Sequence, residues 1–121
     1  MVGKLLVTVV SGPDEPEKVL WGLRMALNTF IHPYGEQILD DVKVLLFAEG
    51  VGIVDPSATN LEEYRERLLH LEQAGVKVVA CVSIAEKIGL VEEYEALDIE
   101  LVHASAYVAQ KVSEGYTIMT F

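Results

Sequence analysis

Short apolar runs alternate along this chain with longer segments in which apolar residues recur every three or four positions. Residues 5–10, Leu-Leu-Val-Thr-Val-Val, are apolar on both faces of an extended chain, the pattern of a strand covered on both sides. Residues 42–48, 76–81, 99–103 and 117–121 read as four further strands. Residues 11–16 form a loop into a first helix that runs to about His32, where Pro33 and Gly35 stop it. Asp14 is a candidate N-cap with Glu17 three positions on, and Pro16 suits a first turn. Residues 49–56 read as an unusually apolar loop. Residues 59–73 form a second helix with Leu61, Tyr64, Leu68 and Leu71 on one face and Glu62, Glu63, Arg65, Glu66 and Arg67 turned outward. Thr59 and Glu62 make a capping-box pair, and Gly75 follows the helix end. Ser83, with Glu86 three residues later, opens a short third helix that ends at Gly89, and residues 105–113 form a fourth.

Strand–helix alternation with short connections implies a largely parallel sheet covered on both faces, an α/β/α sandwich of three layers. A chain of 121 residues suits one domain and one hydrophobic core, spanning 1–121. The first helix carries apolar residues around most of its circumference, from Val19, Leu20 and Trp21 to Phe30 and Ile31. Such a helix needs cover on a second side, and another copy of the chain is the expected cover. The alternative is that residues 34–41 fold back over it.

Charge narrows the choice of partners. Nineteen acidic against nine basic residues give a net charge of −10, with the basic residues scattered, so nucleic-acid binding is not expected. No apolar run reaches the roughly 18 residues that would span a bilayer, so no membrane partner is expected. The N-terminus leads directly into the first strand, too short an apolar run for a signal peptide, and a cytoplasmic protein is expected. A single cysteine forms neither an internal disulfide nor a Cys-x-x-Cys pair, and His32, His70 and His103 lack ligand spacing, so no metal is expected.

In open parallel sheets ligands gather beyond the carboxyl ends of the strands. Ser11 and Gly12, Glu49 and Gly50, Cys81, and His103 occupy those ends. Cys81 is the sharpest candidate: it closes a strand and lies two residues before Ser83, where a helix would aim unpaired N–H groups and a partial positive charge back at it. That setting favours a thiolate, the nucleophilic form. Glu86 and Glu49 would oppose it and Lys87 would offset them. The alternative is a buried, inert cysteine. His103 would orient or deprotonate the thiol, or else simply bond to backbone. Ser11-Gly12 and Gly50-x-Gly52 would cradle an anion, or else serve as turn glycines; neither matches a nucleotide fingerprint, and no cofactor is expected.

Three stretches resemble the DsrE/DsrF-like proteins of the sulfur-relay group: residues 9–27, where a strand ends in a Gly/Pro/Asp loop before an Ala/Leu-rich helix; residues 44–54, a strand and glycine-containing loop; and residues 75–90, a Gly-Val-x-Val-x-Ala-Cys strand with its helix. Their order and spacing hold across essentially the whole chain. The resemblance implies a five-stranded, mostly parallel α/β/α domain, flavodoxin-like in outline, that assembles into trimers or hexamers. It implies that Cys81 matches the family cysteine that accepts sulfane sulfur as a persulfide and passes it to a partner thiol, with protein donor and acceptor. The competing readings are a non-catalytic oligomeric binding or assembly protein in which Cys81 only packs, and a small nucleotide- or flavin-binding domain.

Overall fold

The structure, a computed structural model, describes residues 3–32 and 35–121. Along the chain come β1 (Lys4–Val9), α1 (Pro16–Ile31), β2 (Asp41–Leu46), a 3-10 helix (Ala48–Val54), α2 (Leu61–Ala74) and β3 (Lys77–Cys81). There follow α3 (Val82–Ile88), α4 (Val91–Ala96), β4 (Glu100–Val102), α5 (Ala104–Ser113) and β5 (Thr117–Thr120). The five strands form one sheet of order β4-β3-β2-β1-β5, and every neighbouring pair is parallel.

The strand order dictates the layers. From β1 to β4 the chain winds in one direction, and right-handed crossovers then place α1 to α4 on one face. The final crossover runs back past three strands to the far side of β1, which puts α5 alone on the opposite face. Val7, Val9, Val44, Leu46 and Ala80 point to the multi-helix face and are fully buried, meeting Val19, Leu23 and Ala26 of α1. Each Val or Leu side chain so buried contributes about 1.5–3 kcal/mol. The α5 face is thinly covered: Phe47 and Ile118 remain 39% exposed there. Among the described residues, no helix is long and apolar enough to cross a membrane.

Several expectations need correction. Of the stretch 49–56 expected as a loop, residues 49–54 belong to the 3-10 helix, whose Val51, Ile53 and Val54 are buried in the core. α4 was not foreseen; its single buried side chain, Tyr94, reaches across to donate its hydroxyl to the Val51 carbonyl. That bond lies in a fully buried setting, so Tyr94→Phe, which strands the carbonyl, is expected to cost about 1–3 kcal/mol in urea unfolding.

The expected side-chain caps are not made. The capping position of α1 falls at Glu15 rather than Asp14, because a turn from the Glu15 N–H to the Gly12 carbonyl carries the chain one residue further. For α2 it falls at Asn60, one residue after Thr59, following a turn closed by the Leu61 N–H on the Ala58 carbonyl. For α3 it falls at Cys81 itself rather than Ser83, since β3 runs into the helix without a loop. α1 ends at Ile31 with His32 left-handed (φ 53°); the stop expected at Pro33, like Tyr34, lies outside the described residues. The Asp40 N–H meets the Gly3 carbonyl just ahead of β1, and among the described residues nothing covers Trp21 and Ile31 of α1, which are 56% and 51% exposed.

Candidate functional site

The centre of the site follows from two facts of the sheet. β3 and β4 are neighbours, and their register sets Cys81 level with Val102. A helix begins directly after each strand, α3 at Val82 and α5 at Ala104. Two helix N-termini therefore lie side by side with the Cys81 sulfur between them, each bringing backbone N–H groups that have no partner within the helix.

Those groups turn to the sulfur. The backbone N–H groups of Ile84, Ser83 and Ala104 all bond Cys81 Sγ. The Ser83 hydroxyl lies 3.3 Å from the same atom. Burial is the largest single influence on the thiol and pushes its pKa up. The bonds from the Ser83 hydroxyl and the three N–H groups act together in the other direction and prevail, so the thiol titrates below its ordinary value. Glu86, Glu49 and Lys87, expected to compete over this charge, do not figure among the causes. The local fields come from fixed backbone dipoles rather than mobile side-chain ions.

A depressed folded pKa has a definite sign for stability. The thiolate's contribution is fully present above the ordinary, unfolded value and is lost as pH falls through the folded one. Ser83→Ala removes the largest opposing influence on burial, so the thiol should titrate higher than in the parent protein. Thiolate ultraviolet absorbance against pH reads this directly; an unmoved midpoint would show that the hydroxyl does not hold the charge.

Cys81 is only 3% exposed, yet it is not sealed among aliphatic groups. It lines a pocket of about 740 Å³ between α5 and the sheet. The sheet side is made by Thr8, Val10, Leu45, Phe47 and Thr120, and the helix side by Ala104, Val108 and Ala109. Ser83, His103 and Ser105 complete the lining. The size lies within the range of small-molecule sites, and the wall, apolar with a few hydroxyls, has their usual character.

The expected rim divides into two groups. Cys81, Ser83 and His103 share the pocket. His103 is exposed at the capping position of α5, and among the described residues no hydrogen bond joins its side chain to Cys81; the nearer donor is the N–H of Ala104, the next residue. Ser11, Gly12, Glu49 and Gly50 lie outside the pocket lining. They pack the 3-10 helix against the end of β1: a Cβ on Gly12 would sit 2.9 Å from that of Glu49, and one on Gly50 would sit 2.0 Å from the Val9 carbonyl oxygen. The Gly50 N–H is already given to the Phe47 carbonyl. These glycines permit close approach of backbone.

Three contributors escaped the sequence reading. Phe47 and the Thr8–Thr120 pair, whose hydroxyls lie 2.7 Å apart, become pocket wall only once β5 is placed beside β1. The N–H of Ala104 becomes a sulfur ligand only once β4 is placed beside β3. Alternation along β1 and β2 gives Thr8, Val10, Leu45 and Phe47 a common face, but which helix covers that face depends on strand order.

Comparison with known proteins sets this geometry in context. The profile of the DsrE/DsrF-like family matches residues 3–121. A conserved protein of unknown function from Bacteroides thetaiotaomicron has a similar structure, with TM-score 0.75 and 17% identity over 96% of this chain and 94% of that one. The ychN protein from E. coli is similar at TM-score 0.71 and 17% identity, over 100% of both chains. No curated protein matches the sequence.

Proposed function

The chain belongs to the DsrE/DsrF-like family, and from that premise we propose that it is a sulfur carrier whose carrying atom is Cys81 Sγ. The observation that supports this reading is the convergence of three backbone N–H groups and one hydroxyl on that sulfur, at the wall of an open pocket. The thiolate attacks the outer sulfur of a donor R–S–SH. A bond forms between Cys81 Sγ and that sulfur, the donor S–S bond breaks, and its electron pair leaves with R–S⁻. The product is Cys81–S–SH, which ionises readily, and the N–H groups that held the thiolate remain to hold the charge. A thiolate on a second protein then attacks the outer sulfur and returns Cys81 to its starting form. One cysteine suffices because the acceptor thiol lies elsewhere, and a reducing cytoplasm would keep it available.

A second reading draws on the 3% exposure of Cys81: a packing cysteine in a protein whose role is assembly. Exposed Trp21 and Ile31 on α1 are the side chains that self-association would cover. The two readings part at the thiol. Treatment with a sulfane-sulfur donor, followed by intact-mass spectrometry, is expected to add one sulfur atom to the native protein. A thiol that takes no sulfur, and is alkylated only after unfolding, would leave the assembly reading standing.

A further inference from the structure

The two edges of the sheet are built differently. β4, at one edge, is three residues long and carries Glu100, which pairs with Lys77 at 2.6 Å; shortness and charge keep such an edge from pairing further. β5, at the other, is Thr117-Ile-Met-Thr120, uncharged and exposed throughout, with no Lys, Pro or bulge to guard it. The bonds to β1 show which of its backbone groups are spent. The Phe121 N–H donates to the Thr8 carbonyl and the Phe121 carbonyl accepts from the Val10 N–H, both at 2.8 Å. Backbone groups alternate in direction along a strand, so those of Met119 also turn to β1, and those of Ile118 and Thr120 turn outward. Among the described residues, no backbone group lies on that side to pair with them.

We infer that β5 pairs antiparallel with β5 of a second copy of this chain, about a two-fold axis at Met119, so that two sheets become one. In that register Ile118 faces the partner's Thr120, and Thr120 the partner's Ile118. Each pair exchanges both of its N–H···O bonds, so every outward group of the two strands is satisfied and none is left over. Such self-matching is what an isologous contact requires. The side chains match as well. Ile118, 39% exposed, lies beside the partner's Thr120 on the α5 face, and Met119, 41% exposed, meets the partner's Met119 on the other. A strand without charge is also where two chains of net charge −10 meet least repulsion. The axis stands perpendicular to the joined sheet, so both Cys81 pockets open on the same side of it. Thr120 belongs to the pocket wall, and the partner's Ile118 beside it extends that wall. The pairing stands whether or not Cys81 carries sulfur. It leaves Trp21 and Ile31 of α1 for a separate contact, and a hexamer made of paired trimers needs two kinds of contact.

The experiment places charge on the axis. Met119→Lys and Met119→Glu each set two like charges directly opposite one another in the pair, at a position that is exposed in the single chain. Sedimentation equilibrium on the full chain is expected to give each variant half the mass of the parent's assembly, with an unchanged circular dichroism spectrum. Met119→Lys makes the chain less negative, so its dissociation would not be an effect of net charge. An equimolar mixture of the two variants sets Lys opposite Glu and is expected to regain the parent's mass, which only a contact of residue 119 with its own copy explains. Amide-resolved hydrogen exchange on the parent needs no variant to fold: the Ile118 and Thr120 amides are expected to exchange roughly tenfold or more slowly than in an unstructured chain. A monomeric parent, a variant that folds and keeps the parent's mass, or a mixture that stays dissociated overturns the pairing. So do Ile118 and Thr120 amides without protection in the parent.

Discussion

Cys81→Ser is expected to lose the sulfur adduct completely while keeping the fold. A serine hydroxyl is not ionised at neutral pH and makes no persulfide, so loading should fall to background even with excess donor. The structural cost is small, because the hydroxyl oxygen still accepts from the Ser83, Ile84 and Ala104 N–H groups that bonded the sulfur. Unfolding free energy should change by no more than about 1–2 kcal/mol. Cys81→Ala provides the contrast. It too should lose the adduct, but it strands those buried donors at a cost of about 1–3 kcal/mol, so it should be the less stable of the two variants. Intact-mass spectrometry and urea unfolding on both proteins check the pair of statements. An adduct that persists in Cys81→Ser would remove the sulfur from the mechanism; serine and alanine variants of equal stability would show that the N–H groups do not face a ligand-like atom.

What the sequence disclosed follows from which interactions are local. The strands were legible because Val7, Val9, Val44 and Leu46 sit in unbroken apolar runs, and a parallel strand covered on both sides needs nothing more to be recognised. The 3-10 helix was hidden because its apolar residues are spaced around Gly50 and Gly52, a pattern that suits neither a strand nor an α-helical stripe. α4 was hidden because six residues with one buried side chain show no period. Cys81 was legible as a strand-end residue ahead of a helix, since strand and helix are adjacent in sequence. Its third backbone donor was not, because Ala104 lies 23 residues further on and meets the sulfur only through the β3–β4 pairing. Gly12 and Gly50 stand apart from that centre: they lie where the 3-10 helix meets the end of β1, whereas Cys81 opens toward α5.

The other large effect is expected at Gly50, far from any chemistry. The Phe47 N–H donates to the Val9 carbonyl at 3.0 Å and the Gly50 N–H returns to the Phe47 carbonyl at 2.9 Å, so the end of β2 and the 3-10 helix are tied to the last residue of β1. A Cβ at Gly50 would stand 2.0 Å from that same Val9 oxygen and 2.9 Å from its carbonyl carbon. The obstacle is backbone at the end of an inner strand, with no rotamer to yield, so the 3-10 helix would have to move and draw buried Val51 and Ile53 with it. Gly50→Ala should therefore cost about 3 kcal/mol or more, at or beyond the upper end of ordinary overpacking. In a domain of this size that corresponds to a fall in Tm of roughly 10 °C. Gly52→Ala is the matched control: its Cβ would meet only the Pro13 ring at 3.6 Å, an ordinary contact. Its stability should stay within about 0.5 kcal/mol of the parent. Because Phe47 is both a pocket wall and the partner of Val9 and Gly50, the Gly50 variant should also alter Cys81 alkylation in the folded protein, where Gly52→Ala does not. Similar melting temperatures for the two alanine variants would mean that the 3-10 helix does not clamp the sheet, and that the pocket wall is held by α5 alone.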